Sequence, residues 1–416
     1  MKKIISIILC VISINTFAQE KTVSDFKTEF EKIVNSDLTE NQLNNLFSEY
    51  PLILTPHSEN TQLFESLKGT DFNEYSMLGF KDEDLYKTNI DKLLNSENSN
   101  KRILAYLLVA STNDKSKEDI LLQKIKSETN KGNLIWSGMA LLSIQSNHTD
   151  EIFDFLVANE NFGDAHMLPL YIQLDKDSIQ HTAYKKINSE NEKAKVLAVQ
   201  SLSVTENNPV TEELVKNAVK NWDIKLKGYA IYTMKELQMG KLLELLRPLL
   251  NDDKTKRIAL EALANSPTKE DNEYLIRILN DNTTLDSDIL DALYKSKNIE
   301  NLKLWLTLMQ TRTIPNNYHF FIFEQPLLES DEILTDLQNA LQNIKDKDVL
   351  GELVRALQGR ADDKSVDLMI DLLKHPSSTV RYWAAETIKD NPNSKLKSKE
   401  NIKLIKRGLR DEDNPD

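Results

Sequence analysis

The sequence has almost no cysteine, since Cys10 is the only one in 416 residues. Cys10 lies in an N-terminal apolar run that we expect to be removed from the mature chain. The mature chain would then carry no thiol nucleophile, no disulfide and no Cys-based metal or iron–sulfur site. A chain of this size without disulfides must be held together by packing.

Glycine and proline are also scarce, with 10 and 11 residues respectively. Most of them stand between segments with helical periodicity. Sheet proteins need more turn glycine and more alternating β-branched residues than this chain offers. The composition therefore predicts an all-α protein.

Long apolar runs are missing except for residues 4–14, which are too few to span a bilayer as a helix. Two lysines precede this run, and the small-residue motif Thr-Phe-Ala follows at 16–18. This order is typical of a secretory signal peptide. We predict that residues 1–18 are a signal peptide cleaved near Ala18, with a buried N-terminal helix as the alternative. The mature protein would be exported to the periplasm or the cell surface of a bacterium with an outer membrane. It would have no integral membrane segment.

Basic side chains are too few to balance the acidic ones, with 52 Lys and Arg against 65 Asp and Glu. The net charge is −13, and removal of Lys2 and Lys3 leaves 50 against 65, or −15. Much of the affinity for nucleic acid comes from neutralised phosphates. Anionic membrane surfaces likewise repel a chain of this charge. We therefore expect no nucleic-acid partner.

Sequence patterns that carry catalysis are absent as well. The six histidines form no metal-binding pair on one helix face and no His-Glu-x-x-His motif. There is no nucleophile elbow, no phosphate-binding glycine loop and no dinucleotide fingerprint. The acid pairs at 252–253 and 362–363 are interpreted as helix N-caps, with a calcium or catalytic role as the alternative. We predict no catalytic residue, no metal and no cofactor.

What the chain does contain is a repeated amphipathic helix, seen best at residues 375–391. Val380, Trp383, Ala384 and Ile388 recur there at helical spacing and form one apolar stripe. The small Ala384 leaves room for a second helix to approach closely.

Copies of this helix recur with centres about 28 to 33 residues apart. Each clear copy has a central residue equivalent to Ala384 and an apolar residue four positions later. The central residues are Ala105, Gly138, Ala198, Ala230, Ala259 and Leu353, and less regular copies are centred on Leu170, Ile289 and Phe320. Several copies carry a basic residue three positions before the centre, at Arg102, Lys195, Lys227, Lys256 and Arg381. A second amphipathic helix follows each copy, and stacked pairs of this kind bury the stripes that one pair cannot bury alone.

Residues 379–388, Thr-Val-Arg-Tyr-Trp-Ala-Ala-Glu-Thr-Ile, resemble the first helix of a HEAT repeat. The short HEAT-like kind, also called the phycobilisome-lyase-type repeat, is the most similar; it favours Val-Arg followed by paired small residues. Residues 256–263 resemble it too. The resemblance covers about residues 82–410 and is weakest over 163–190 and 311–345. It implies a right-handed α-α superhelix, a HEAT/ARM-like solenoid of about ten helix pairs. Second helices would line its concave binding surface.

The domain organisation follows from where the repeat becomes regular. Residues 19–81 are predicted to form an N-terminal helical cap, with a small independent domain as the alternative. Residues 82–416 are predicted to form the HEAT-like solenoid.

Two stretches stand out as candidate contact surfaces. The aromatic stretch 314–323 departs most from the repeat, and we predict a partner contact at Tyr318, His319, Phe320 and Phe323. The alternative is that this stretch is a buried first helix. The C-terminal stretch 395–410 is rich in Lys and Arg. It is either a docking surface or the polar outer face that an end repeat needs.

These observations predict an exported, non-enzymatic scaffold that binds a protein or peptide partner along a concave helical surface. One alternative is a small-molecule-binding or lyase-like HEAT-repeat enzyme. Another is a passive structural module of an envelope complex.

Overall fold

The computed structural model describes residues 23–50, 77–159, 167–281, 286–315, 318, 320 and 325–410. Within these ranges every regular element is a helix, and the prediction of an all-α fold is confirmed. The predicted signal peptide, residues 1–18, lies outside the described residues. The chain forms two compact units, Met1–Glu206 and Asn207–Asp416.

In the first unit the α-helices are α1 (Val23–Val34), α2 (Glu40–Glu49), α3 (Asp84–Leu94), α4 (Ser99–Ser111), α5 (Glu118–Ser127), α6 (Lys131–Ser143), α7 (Thr149–Asn159), α8 (Leu168–Tyr171), α9 (Lys176–Lys186) and α10 (Glu192–Leu202). Short 3₁₀ helices lie at Met77–Asp82 and Lys115–Lys117.

In the second unit the α-helices are α11 (Pro209–Asn221), α12 (Ile224–Glu236), α13 (Leu243–Leu246), α14 (Lys256–Asn265), α15 (Lys269–Asp281), α16 (Ser287–Tyr294), α17 (Ile299–Thr311), α18 (Leu334–Asn343), α19 (Lys347–Val354), α20 (Asp363–Leu372), α21 (Ser378–Ile388) and α22 (Lys399–Gly408). The 3₁₀ helices are Arg247–Asn251, Pro326–Glu329, Arg355–Leu357 and Ser394–Lys397.

The helices pack in sequence as pairs, in the manner of a HEAT-like solenoid. The first helix of a pair carries the repeat centre, and the second helix follows it along the chain. In the second unit, first helices lie side by side in close contact, α12 on α14, α14 on α16, and α19 on α21. Successive second helices such as α11, α13 and α15 touch each other only sparsely. Second helices such as α11 and α13 therefore leave a groove between them.

Neighbouring helices approach each other closely at the repeat centres, and this explains why the central residues are small. The centres Ala105, Ala198, Ala230, Ala259 and Ala384 are fully buried. At Gly138 a Cβ atom would lie only 2.2 Å from the Phe155 ring of α7. The predicted role of the small central residue is thereby confirmed at these positions.

At two repeats, the basic residue three positions before the centre holds the loop that leads into its own helix. Arg102 donates from Nη1 to the carbonyl oxygens six and five residues earlier, at 2.7 and 3.0 Å. Arg381 likewise donates from Nη1 to the carbonyl oxygens of His375 and Pro376, which are six and five residues earlier. Arg102 also forms an ion pair with Glu128, at 2.8 Å. At these two positions the motif therefore stabilises its own repeat.

Polar side chains link one repeat to the next at nearly constant sequence separation. Asn133 donates to the Ser99 carbonyl across 34 residues, at 3.0 Å. Ser296 donates to the Ala264 carbonyl across 32 residues, at 2.7 Å. Asn391 donates to the Arg360 carbonyl across 31 residues, at 2.6 Å. These hydrogen bonds give the accepting carbonyls partners from the next repeat.

Helix starts follow the N-cap chemistry read from the sequence. The Asp362 carboxylate accepts the Ser365 N–H at 2.9 Å, as the N-cap interpretation predicts. The Asp252 carboxylate instead accepts the Lys254 N–H inside the turn before α14. It therefore stabilises a turn, because α14 begins only at Lys256, too far along the chain for Asp252 to cap.

The described part of residues 19–81 packs onto the first regular helices. The Phe80 ring lies 5.5 Å from Phe26 of α1 and 5.6 Å from Tyr86 of α3. This aromatic cluster joins the N-terminal region to α3. The cap prediction for residues 19–81 and the solenoid boundary at 82 stay predictions.

Candidate functional site: a cationic groove between second helices

The predicted aromatic contact falls partly within the described residues. Tyr318 and Phe320 are each 8% exposed, whereas His319 and Phe323 lie outside the described residues. Trp305 donates from Nε1 to the Tyr318 hydroxyl oxygen at 3.0 Å. The Phe320 ring lies 5.0 Å from the Trp305 ring, which is fully buried. These two described aromatics thus pack against α17, and the partner-contact role of the four residues stays a prediction.

A different site lies in the second unit, in the groove between the second helices α11 and α13. The groove encloses about 510 Å³. Its walls are α11, the first turn of α12, and α13 with the 3₁₀ helix that follows. The lining residues are Lys216, Val219, Lys220, Lys227, Lys241, Glu244, Leu245, Pro248 and Leu249.

The groove exists because α13, the second helix of the pair α12 and α13, is short. The α-helical part of α13 ends at Leu246, and a 3₁₀ helix follows from Arg247. Pro248 has no N–H to donate to the Glu244 carbonyl, and its ring would clash there. The α-helical ladder therefore stops, and the chain opens the space beside α11.

The floor of the groove is apolar. Val219 is buried, while Leu245 and Leu249 are half-buried and Pro248 is exposed. A half-buried leucine at the bottom of a groove gains free energy when a partner removes it from water, about 25 cal/mol per Å² of apolar area. The floor can therefore hold an aliphatic side chain.

The rim of the groove is cationic, with four lysines and one glutamate. Lys216 pairs with Glu212 of the same helix at 3.2 Å. Lys227 donates to the Lys220 carbonyl at 3.3 Å. Among the described residues, the ammonium groups of Lys220 and Lys241 have no carboxylate within ion-pair distance. The one acid on the rim, Glu244, pairs with Arg247 at 3.1 Å.

The loop that carries Lys241 is held in place by the next repeat. Lys241 has a φ of 57°, a left-handed conformation that is uncommon for a residue with a side chain. Its N–H donates to the Thr268 hydroxyl oxygen at 2.8 Å. At the preceding Gly240, a Cβ would lie 2.5 Å from the same hydroxyl. The close contact with Thr268 thus fixes where the Lys241 side chain starts.

Asp271 anchors the other wall of the groove. Its carboxylate, 1% exposed, accepts the Leu242 N–H at 3.0 Å and the Leu243 N–H at 2.9 Å. The Ser266 hydroxyl donates to the same carboxylate. These N–H groups belong to the start of α13, where no intrahelical acceptor exists. The next repeat therefore positions the helix that forms the groove.

Comparison with known proteins identifies the C-terminal repeats. The family model described as HEAT repeats matches residues 334–416. This segment belongs to the HEAT-repeat family. The resemblance read from residues 379–388 is confirmed there, and α18 to α22 are HEAT-repeat helices. The cationic groove lies upstream of the matched segment, in helix pairs of the same sequential packing.

The solved structures that match this chain include one of an engineered protein. It is the crystal structure of an engineered protein from the Northeast Structural Genomics Consortium, 15% identical in sequence. The match covers 85% of this chain and 99% of that chain, with a TM-score of 0.28. No curated protein matches the chain.

The first unit also has a groove, but its charges are mixed. It encloses about 550 Å³ and lies against α3 and the loop that begins α5. The Tyr86 hydroxyl donates to Asp114 at 2.9 Å, and Asp82 adds a second carboxylate to the lining. Lys117 pairs with Asp91 at 2.9 Å. Its acids partly offset its lysines, so this groove is less selective for one sign of charge.

Sequence reasoning missed the groove between α11 and α13, although it singled out Lys227. The signal was present as Lys216 and Lys220, which are four positions apart and share one face of a second helix. What the sequence could not show was that Lys241 would join them from a loop held by Thr268.

Within the described part of the chain, no group of three or more His, Cys, Asp or Glu side chains is placed to hold a metal ion. No helix of the described ranges is both long and apolar enough to cross a membrane.

Proposed function

We propose that the protein is an exported, non-enzymatic scaffold that binds a protein or peptide partner on the face formed by its second helices. HEAT repeats generally mediate protein interactions. Second helices touch each other only sparsely, and a groove of about 510 Å³ lies between α11 and α13. The observation that carries the proposal is this groove, which combines an apolar floor with a charged rim. Protein interfaces have the same arrangement, an apolar centre within a polar rim.

A small anionic molecule is the second candidate, because the groove volume of about 510 Å³ lies in the range of small-ligand pockets. A ligand of this kind would meet the same lysines. The two candidates differ in whether a macromolecule is captured from the cell envelope.

The test is crosslinking capture with the chain from Gln19 as bait in extracts of the cell envelope. A photoreactive residue replaces Leu245 inside the groove, and a control bait carries it at Ile276, which is 40% exposed on α15 outside the groove. We expect one protein to crosslink at Leu245 and not at Ile276. The double variant Lys220→Glu/Lys241→Glu should lose it.

The matched control is Lys364→Glu, an exposed lysine on α20 without a described ion pair. This variant should retain the partner. Capture that is equal in the groove variant and the control would contradict a role for the groove. Failure to capture any protein, with a small molecule retained by the purified chain, would favour the second candidate.

A further inference from the structure

We infer that the groove between α11 and α13 binds an acidic peptide segment in which an aliphatic side chain is flanked by carboxylates. This inference rests on the proposed function and specifies the chemistry of the partner.

The charges around the groove select for an anionic occupant. The rim holds Lys216, Lys220, Lys227 and Lys241, and its only acid is already paired with Arg247. Lys220 and Lys241 stand on different elements, α11 and the loop after α12. Two carboxylates separated along a chain can therefore meet two ammonium groups that have no described partner. This positive site is unusual on a chain whose net charge is −13.

The floor selects for an aliphatic side chain between those carboxylates. Leu245 and Leu249 are half-buried at the base, and the Pro248 ring is exposed beside them. An apolar centre within a polar rim is the usual arrangement of a protein interface. A purely charged segment would leave this apolar surface exposed to water.

The helix end beside the rim adds no phosphate site to the lysines. The lining holds lysines but no arginine, so it offers point charges, which attract carboxylate and phosphate groups alike. The start of α12 also offers no free anion site, because the Asp223 carboxylate accepts the Lys225 N–H at 3.0 Å. The lysines alone therefore do not select a phosphate ligand, whereas the apolar floor favours a peptide with an aliphatic side chain.

The test measures fluorescence anisotropy of a short blocked peptide in which glutamates flank leucines. Two matched peptides serve as controls, one with every glutamate replaced by glutamine and one with every leucine replaced by serine. The full mature chain should bind the first peptide and bind the glutamine control about fivefold more weakly, since an exposed ion pair is worth up to about fivefold. The serine control should also bind more weakly, because it cannot cover the apolar floor. Lys220→Glu/Lys241→Glu should weaken binding about tenfold or more, because attraction becomes repulsion. Lys364→Glu should leave the affinity unchanged.

Other outcomes separate the inference from the proposed function. Equal binding of the glutamine peptide would overturn the acidic-peptide inference. If crosslinking capture still depended on Lys220 and Lys241, the scaffold function would stand. Competition by inorganic phosphate at the peptide's own concentration would overturn the inference in favour of a small-anion site. Unchanged far-ultraviolet circular dichroism would show that the charge variants remain folded.

Discussion

Gly138 and Gly228 both stand inside first helices, but their surroundings are opposite. The space beside Gly138 is filled by Phe155, whereas no atom lies within 4 Å of a Cβ placed at Gly228. Glycine costs a helix interior about 1 kcal/mol relative to alanine. Only at Gly138 does close packing offset that cost.

We therefore expect Gly228→Ala to raise the free energy of unfolding by about 0.5 to 1 kcal/mol. Gly138→Ala should lower it by about 1 kcal/mol or more, because the methyl group overlaps the Phe155 ring. Urea unfolding followed by circular dichroism measures both. The loss at Gly138 should shrink in a Phe155→Leu background; an unchanged loss would show that the ring is not the obstacle.

Asp271 is a second position where one side chain decides local order. Asp271→Ala leaves the Leu242 and Leu243 N–H groups buried without an acceptor. We expect a loss of about 2 to 4 kcal/mol in the free energy of unfolding, from two unsatisfied buried donors. The exposed Asp253 is the matched control, and Asp253→Ala should change stability by less than about 0.5 kcal/mol. Similar effects from both variants would contradict the anchoring role.

At the scale of elements, the two helices of a pair have different surroundings. In α14 the residues from Ala259 to Asn265 are all buried, including Glu261, which pairs with Lys235 of α12 at 3.2 Å. In α11 only one face is buried, at Thr211, Val215, Ala218 and Val219. A first helix such as α14 lies between two neighbours and the second-helix layer, so it has little solvent face. On the first helix α12, by contrast, Tyr229 and Tyr232 are exposed.

The link between α4 and the end of α5 predicts how stability responds to acid. Burial raises the pKa of Glu128, but hydrogen bonds from Arg102 and the Asn130 N–H, with the Arg102 charge, outweigh burial. The pKa of Glu128 is therefore held below its ordinary value of 4.5. A carboxylate with a lowered folded-state pKa stabilises the fold above its unfolded-state pKa, and this contribution is lost as the pH falls through the folded-state pKa.

We therefore expect Glu128→Gln to lower the midpoint of thermal unfolding at neutral pH. The difference from the natural chain should shrink as the pH falls below about 4.5, where protonation removes the same charge. Thermal unfolding across that range measures it. Glu97→Gln, at an exposed acid in the loop before α4, is the control and should have little effect at any pH. A pH-independent loss in Glu128→Gln would mean that packing rather than charge is responsible.

At the scale of the whole molecule, the decisive prediction concerns export. We expect the protein recovered from cells to begin at Gln19, because the run at 4–14 and the small residues at 16–18 have the pattern of a cleavable signal. Intact-mass measurement and N-terminal sequencing check this. A variant with Lys in place of Ile8 and Leu9 should remain uncleaved inside the cell. Retention of Met1 in the natural protein would contradict export by this route.

The repeat architecture was predictable because its signals are local. Val380, Ala384 and Ile388 share one helix face, and the same spacing recurs along the chain, so periodicity alone indicates stacked helix pairs. The aromatic stretch shows where such reasoning ends. The sequence around Tyr318 and Phe320 is equally consistent with a contact surface and with a core. Only their packing against Trp305 in the structure shows that they are buried.

The sequence by itself determined the all-α class, the period of the repeat and the close approach at Gly138, because each depends on residues within one helix pair. The tertiary structure decided the groove. Lys220 and Lys241 are 21 positions apart, and they share a rim only because Pro248 shortens the second helix and Thr268 holds the loop. A site assembled from neighbouring repeats depends on how those repeats pack, and that packing is a property of the folded chain.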